Sequence, residues 1–171
     1  MQKILTFDKQ LTFMQNQLTF QFISEPGDVN YGGKVHGGAV MKWIDQTGYA
    51  CATSWAEGYC VTIYVGGIRF FKPIRIGDLV KVVARVIYTG STSIHIACDV
   101  FSRKITEHKF IKTTHCVIVF VAVDENGKPR PSKKWEPHTD HEIALEKYAI
   151  RLMELRKGIE EEMKPFLENY F

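Results

Sequence analysis

The sequence predicts an α+β domain in which one long, nearly all-apolar helix is followed by a run of antiparallel strands that covers it. Three observations lead there. A glycine-rich segment, 27–38, runs into a stretch where Val40, Trp43, Ile44, Thr47, Ala50, Cys51 and Trp55 recur at three- and four-residue steps, with no proline between His36 and Pro73. Residues 59–123 then read as successive strands separated by short turns. A second helical stripe follows that block, behind a capping box at Thr139-Asp140-His141-Glu142.

Taken in order, residues 1–13 are a lead-in that repeats Leu-Thr-Phe at 5–7 and 11–13, and the third copy, at 18–20, opens a strand over 18–23. Pro26 and Gly27 close that strand. The long helix is expected over 38–55, a length of roughly 27 Å. A second stripe on it, Gly38, Met41, Asp45, Gly48 and Ala52, is mostly small, so a backbone or a ligand can approach there, and Asp45 is its only acid. Glu57-Gly58 makes the next turn. The strand over 61–72 contains Gly66-Gly67, a pair that marks a bulge or a close approach, with helix packing the favoured reading.

Pro73 to Gly77 is a turn, and strands over 79–88 and 93–101 form a hairpin around Thr89-Gly90-Ser91. A long return strand spans 110–123 and ends at the turn Asp124-Glu125-Asn126-Gly127. The segment 129–138 is expected as a linker. Beyond it, Leu145, Tyr148, Leu152, Leu155, Ile159 and Met163 step by three or four along a helix expected to stop before Pro165. Such a stripe most often docks on its own domain; here it follows a complete sheet, which favours a helix covering a neighbouring subunit or the binding cleft.

At 171 residues, with 45% hydrophobic and 24% charged residues, the chain suits one soluble domain with a single core. A net charge of +3 is compatible with a phosphate-bearing ligand. No Lys/Arg cluster interleaves with stacking aromatics, so nucleic acid is not expected as a partner. Cys51, Cys60, Cys98 and Cys116 lack metal-ligand spacing and read as reduced thiols of a cytoplasmic protein. The first residues lack the apolar core of a secretory signal, and no stretch has membrane-spanning length, so no membrane association is expected.

Chemistry concentrates at the start of the long helix. Gly37 and Gly38 present N–H groups with no Cβ beside them, at the positive end of the helix dipole, where a developing oxyanion is stabilised. His36 reads as a loop residue that packs or caps the helix start. Taken alone, an Asp inside a helix is more often solvated and an Asn in a glycine-rich loop is usually a turn former. His138 and His141 have no metal-type partners, no Gly-x-Ser-x-Gly is present, and the loop before Lys34 lacks the glycine spacing of a phosphate-binding loop.

The series Asn30, Gly33, Gly37-Gly38 and Asp45 resembles the loop and helix of the hotdog-fold acyl-CoA thioesterases of the acyl-CoA hydrolase family. The likeness continues through 68–78, 88–93 and 119–124, in order, and covers most of residues 14–128. It implies a hotdog fold, a sheet curled around the central helix, with two subunits joining their sheets edge to edge and commonly assembling as trimers of dimers, that is, hexamers. It implies hydrolysis of acyl-CoA to free acid and coenzyme A without a cofactor or metal. Asp45 would then be base or nucleophile and Asn30 of the partner subunit would orient thioester or water. Gly38, with Gly37 and His36 beside it, would hold the carbonyl oxygen.

The turn Thr89, Gly90, Ser91, Thr92 and Ser93, with Arg69 and with Lys72, Arg75 and Arg103 as further charge partners, would meet the nucleotide end of coenzyme A. Met41, Tyr49 and Val65 would line the acyl channel. Hotdog dehydratases carry Phe-Pro after their His, whereas Gly37-Gly38 follows His36 here. A non-catalytic acyl-CoA sensor or scaffold on the same fold is the alternative.

Overall fold

The structure, a computed structural model, describes residues 16–168. Five antiparallel strands form one sheet in the order β1-β3-β4-β5-β2: β1 (Gln17–Ile23), β2 (Cys60–Phe70), β3 (Leu79–Thr89), β4 (Ser93–Arg103) and β5 (Ile111–Ala122). The long helix α1 (Gly37–Ala56) lies between β1 and β2 in sequence, and α2 (Asp140–Glu168) follows the sheet. The segments 1–13 and 169–171 of the lead-in and tail fall outside the described residues.

The sheet curls around α1 because its inner face is a continuous apolar surface. Val82, Ala84 and Val86 of β3, Ile94, Ile96 and Cys98 of β4, and Cys116, Ile118 and Phe120 of β5 bury against Val40, Ile44, Cys51, Ala52 and Trp55 of the helix. The small stripe on α1 is where this contact is tightest. A Cβ at Gly48 would lie 3.0 Å from Ile118 Cγ2 and 3.2 Å from a Phe120 ring carbon. The lower part of that stripe, Gly48 and Ala52, therefore receives the chain's own sheet and not a ligand.

Helix α1 ends on Glu57, the one non-glycine described residue in the left-handed region (φ 50°). Its neighbour Gly58 serves another need, because a Cβ there would sit 2.5 Å from Arg130 Nη2. That guanidinium donates to the Ala56 carbonyl at 2.6 Å, placing positive charge at the helix C-terminus. The segment 129–138, expected as a linker, is thus a packed strap. Trp135 buries against Trp55 at 5.7 Å, Trp55 Nε1 donates to the Lys133 carbonyl, and Trp135 N donates to Thr89 Oγ1 at 2.7 Å.

The expectation that α2 serves a neighbour or a cleft holds for none of its first half, which docks on the outer face of its own sheet. Leu145, Tyr148, Ala149 and Leu152 cover Ile87, Ala97 and Val117. The capping box forms as expected, Thr139 N to Glu142 and Glu142 N to Thr139 Oγ1. The helix does not stop before Pro165 but runs through it to Glu168. One missing N–H so close to the end removes a single intrahelical bond, which the last turn tolerates. The Gly66-Gly67 pair is both things expected of it. The register of β2 on β5 shifts between Gly66 and Arg69, and Gly67 (φ 59°) lies under Tyr148 and Leu152.

Beneath α2, His115 bridges Asp99 at 2.7 Å and the Tyr148 hydroxyl at 3.1 Å, and Lys112 pairs with Asp99 at 2.8 Å. Burial opposes the Asp99 charge, but the bonds from His115 and Lys112 outweigh it and hold that carboxyl below its ordinary value. His95 is buried on the same face, and burial, with Arg156 nearby, pushes its pKa from 6.5 down to about 4. All four cysteines are reduced and buried. No helix among the described residues is long and apolar enough to cross a membrane.

Two outcomes follow from these contacts. Gly48→Val forces a branched side chain into the helix–sheet contact and should lower unfolding stability by roughly 1–3 kcal/mol in urea titrations. The unfolded chain protonates His95 near pH 6.5 while the fold resists until about pH 4, so stability should fall as pH drops through that window, Asp99 adding its loss at the acid end. Thermal melts of His95→Gln should show a shallower decline between pH 6.5 and 4 than wild type.

Candidate functional site

The loop before α1 is a tight turn built around Asn30. Asn30 N donates to the Lys34 carbonyl at 2.7 Å, Lys34 N donates back to Asn30 Oδ1 at 3.2 Å, and Gly33, at φ 72°, closes the turn onto the Asn30 carbonyl at 3.0 Å. Bridges from Val29 to Val35 and from Lys34 to Arg75 fasten it to the 73–78 turn. Asn30 is therefore the turn former its context suggests, through its side-chain oxygen; the residue is exposed, and its amide nitrogen takes no partner among the described residues.

His36 is the N-cap of α1, with Nδ1 accepting from Ala39 N at 3.0 Å. That bond assigns the proton to Nε2. The capping role expected for His36 is thus present, and its other expected role, contact with substrate, is left to Nε2–H. The N–H groups of Gly37 and Gly38 take no partner among the described residues, and both glycines are exposed. A Cβ at Gly38 would meet His36 Nδ1 at 3.0 Å, so the cap itself favours glycine there.

Asp45 sits two turns further along α1, on the flank that overlooks the edge strand β2. Its carboxylate is exposed and accepts a hydrogen bond from Thr62 Oγ1 at 3.0 Å. Tyr49, Ile63 and Val65 leave apolar surface open on the same side. Eight residues of helix separate Gly37 from Asp45, roughly 12 Å. One chain thus presents an anchored carboxylate and a set of open N–H donors without bringing them to a single reacting atom.

The hairpin turn at 89–93 is only partly available. Thr89 is buried and its hydroxyl accepts from Trp135 N, so it is spent on the strap and cannot meet phosphate. Gly90 N donates to the Ser93 carbonyl, and the Ser91 carbonyl accepts from Ser132 N. The Ser91, Thr92 and Ser93 hydroxyls remain at or near the surface. Arg69 does not join them. It pairs with His115 in the sheet register, whereas the turn lies at the level of Val121 and Val61, eight residues and roughly 26 Å away along β2.

Other nucleophiles are unpromising. Burial pushes the Cys51 thiol up to about 12 and Cys116 to about 11. Among the described residues no group of three or more His, Cys, Asp or Glu could hold a metal ion. Thr62 is the site residue that sequence reasoning missed. Its contact depends on how β2 bulges against α1, and a threonine in a strand carries no signal of that.

Comparison with known proteins places this arrangement. Residues 32–108 match the model of the thioesterase superfamily. Over 142 residues the chain is 33% identical to protein VdlD of Helicobacter pylori, covering 83% of this chain and 81% of that one. Over 120 residues it is 36% identical to the acyl-CoA thioester hydrolase YciA of Salmonella typhimurium, covering 68% and 90%. The acyl-CoA hydrolase of Staphylococcus aureus, solved with butyryl coenzyme A and coenzyme A, superposes with a TM-score of 0.83 at 27% identity, over 90% of this chain and 93% of that one. A hexameric acyl-CoA thioesterase superposes with a TM-score of 0.80 at 30% identity, over 83% and 91%. The fold is a hotdog fold, and the chain belongs to the acyl-CoA thioester hydrolase family of the thioesterase superfamily.

Because His36 closes the first turn of α1, His36→Ala should lower stability by about 1 kcal/mol, while His36→Asn, which retains a capping acceptor, should recover most of it. Denaturant midpoints at constant slope make the comparison.

Proposed function

We propose that the protein hydrolyses acyl-CoA thioesters at a site shared by two subunits, with Asp45 of one facing Asn30 and the α1 start of the other. The observation that carries this is the Asp45 carboxylate, held by Thr62 on an exposed flank beside an open sheet edge and presented apart from the donors that chemistry at a carbonyl requires.

Pairing two β2 strands antiparallel about their midpoint, Val65, resolves the separation. It sets Thr62 of one chain level with Ile68 of the other, two residues from the Phe70 ring that lies 3.7 Å from where a Gly37 Cβ would be. Asp45 thereby meets the start of the partner's α1. The same pairing carries the partner's Arg69 to the level of the 89–93 turn. The Staphylococcus aureus hydrolase has been solved with an Asn, an Asp or a Thr replaced by Ala, at positions 15 and 17 residues apart, the spacing of Asn30, Asp45 and Thr62 here. Hexameric relatives support self-association.

In this site Asp45 accepts a proton from a water that attacks the thioester carbonyl, or attacks it directly. Thr62 fixes the carboxylate rotamer, so that one oxygen stays aimed at the substrate. The partner subunit's Gly38 N–H, with the partner's Gly37, stabilises the carbonyl oxygen as it gains charge, and the partner's Asn30 amide orients the thioester. Collapse of the tetrahedral species breaks the C–S bond: after attack by water it releases the acid, and the coenzyme A thiolate takes back the proton that Asp45 accepted; after attack by Asp45 it leaves an acyl–Asp45 anhydride, which a water then hydrolyses to the acid and the free carboxylate. In this reading the Ser91–Ser93 turn and the partner's Arg69 meet the nucleotide end, and Met41, Tyr49 and Val65 line the acyl chain. No residue of this scheme calls for a metal or organic cofactor.

Thiol release from a panel of acyl-CoAs should be easily measured for wild type. Asp45→Asn should lose at least about a hundredfold in kcat, the scale of a general base, and Thr62→Val about tenfold. Binding without turnover in the wild type would favour a sensor. Mixed assemblies of Asn30→Ala and Asp45→Ala, each inactive alone, should regain activity toward a quarter to a half of wild type, since some sites receive both intact residues; no recovery would contradict a shared site.

A further inference from the structure

The apolar side chains of the distal half of α2 are left open by every described element of their own chain. The helix crosses the outer face of the sheet from β3 to β2: His141 contacts Arg85, Tyr148 bonds His115 of β5, Leu152 reaches Gly67, and Arg156 stacks over Tyr64 at 4.2 Å. It then leaves over the free edge of β2. From Arg156 to Glu168 twelve residues remain, roughly 18 Å of helix, the width of three to four strands.

This overhang continues the apolar stripe of the docked half. Leu155, Ile159, Met163, Phe166 and Leu167 are about half exposed or more, and a shallow trough of about 550 Å³ runs along them. An unpartnered apolar surface of this kind on a folded chain marks an interface. Gly158 sits in the trough. Glycine inside a helix costs about 1 kcal/mol relative to alanine, and a Cβ here would meet nothing within 4 Å. Nothing among the described residues requires a glycine there.

We propose that the segment from Leu155 to Leu167 packs antiparallel against the same segment of a second copy of this chain, across the two-fold axis of the β2–β2 dimer. The occupant follows from where the helix departs. Arg156 crosses β2 at Tyr64, one residue from the strand midpoint at which the two-fold axis lies, so each α2 crosses the seam just to one side of the axis and the two helices pass alongside each other there. Gly158 leaves room for that contact. The tips then extend over the partner's outer sheet face.

The inference rests on the edge-to-edge pairing of the proposed function, and it is tested apart from the chemistry. All four native cysteines are buried, so an Ile159→Cys chain carries one exposed thiol. Oxidation with copper phenanthroline should convert most of it to a disulfide-linked dimer, while Glu161→Cys, on the opposite side of the helix, should not link. In sedimentation equilibrium, Ile159→Glu/Met163→Glu should raise the dimer dissociation constant at least tenfold while its circular dichroism stays that of wild type. An unchanged constant with no preferential Ile159→Cys linkage would overturn the proposal. So would loss of phosphatidylglycerol-vesicle binding by the double variant with association unchanged, which would assign the stripe to a lipid surface. Recovery of activity on mixing Asn30→Ala with Asp45→Ala reads the shared site separately, so either idea can fail alone.

Discussion

The contact of Gly48 with Ile118 and Phe120 governs the rest of the molecule. Because no side chain intervenes, α1 settles deep into the curl of the sheet and its rotation about its own axis is fixed. That rotation turns Val40, Ile44, Cys51 and Trp55 into the core and leaves Asp45, three residues before the glycine, on the rim beside β2. A helix held further out could rotate, and the Thr62 hydroxyl would lose its carboxylate.

The chain closes its core by itself, whereas the proposed site is shared between two. Its inner face is closed, its helix ends are capped by His36 and by Arg130, and its strap seals the end of the sheet. Along β2, by contrast, no strand among the described residues pairs with the outer edge of an eleven-residue strand that also carries exposed Ile63, Val65 and Phe70. The carboxylate, the open helix N-terminus and the overhanging half of α2 all lie on that side. One edge thus gathers the unmet hydrogen bonds, the apolar surface and the proposed reactive groups, and the proposed second copy would satisfy all three.

Much of this was legible beforehand. The helix, five strands and capping box follow from periodicities of 3.6 and 2 and from glycine and proline punctuation, and Asp45 stands out as an acid on a small-residue flank. What escaped depended on partners distant in sequence. Thr89 looks like a phosphate-facing hydroxyl until Trp135, 46 residues later, takes it. Glu57-Gly58 reads as a turn, but nothing local shows that Glu57 takes the left-handed position while the space at Gly58 is filled by Arg130, 72 residues later. Thr62 has no local mark at all, since a bulge in β2 decides which way it faces. Pro165 misleads for the opposite reason: a local rule is overridden where few bonds are at stake.

The central claim is that the carboxylate and the carbonyl-oxygen donors come from different subunits. A crystal structure of the assembled protein with a non-hydrolysable thioether analogue of acyl-CoA tests it most directly. The account predicts the atom replacing the thioester carbonyl within about 3 Å of the Gly38 nitrogen of one protomer, with Asp45 of the other protomer on its opposite side. Donors and carboxylate supplied by a single protomer, or an acyl group lodged away from α1, would contradict it.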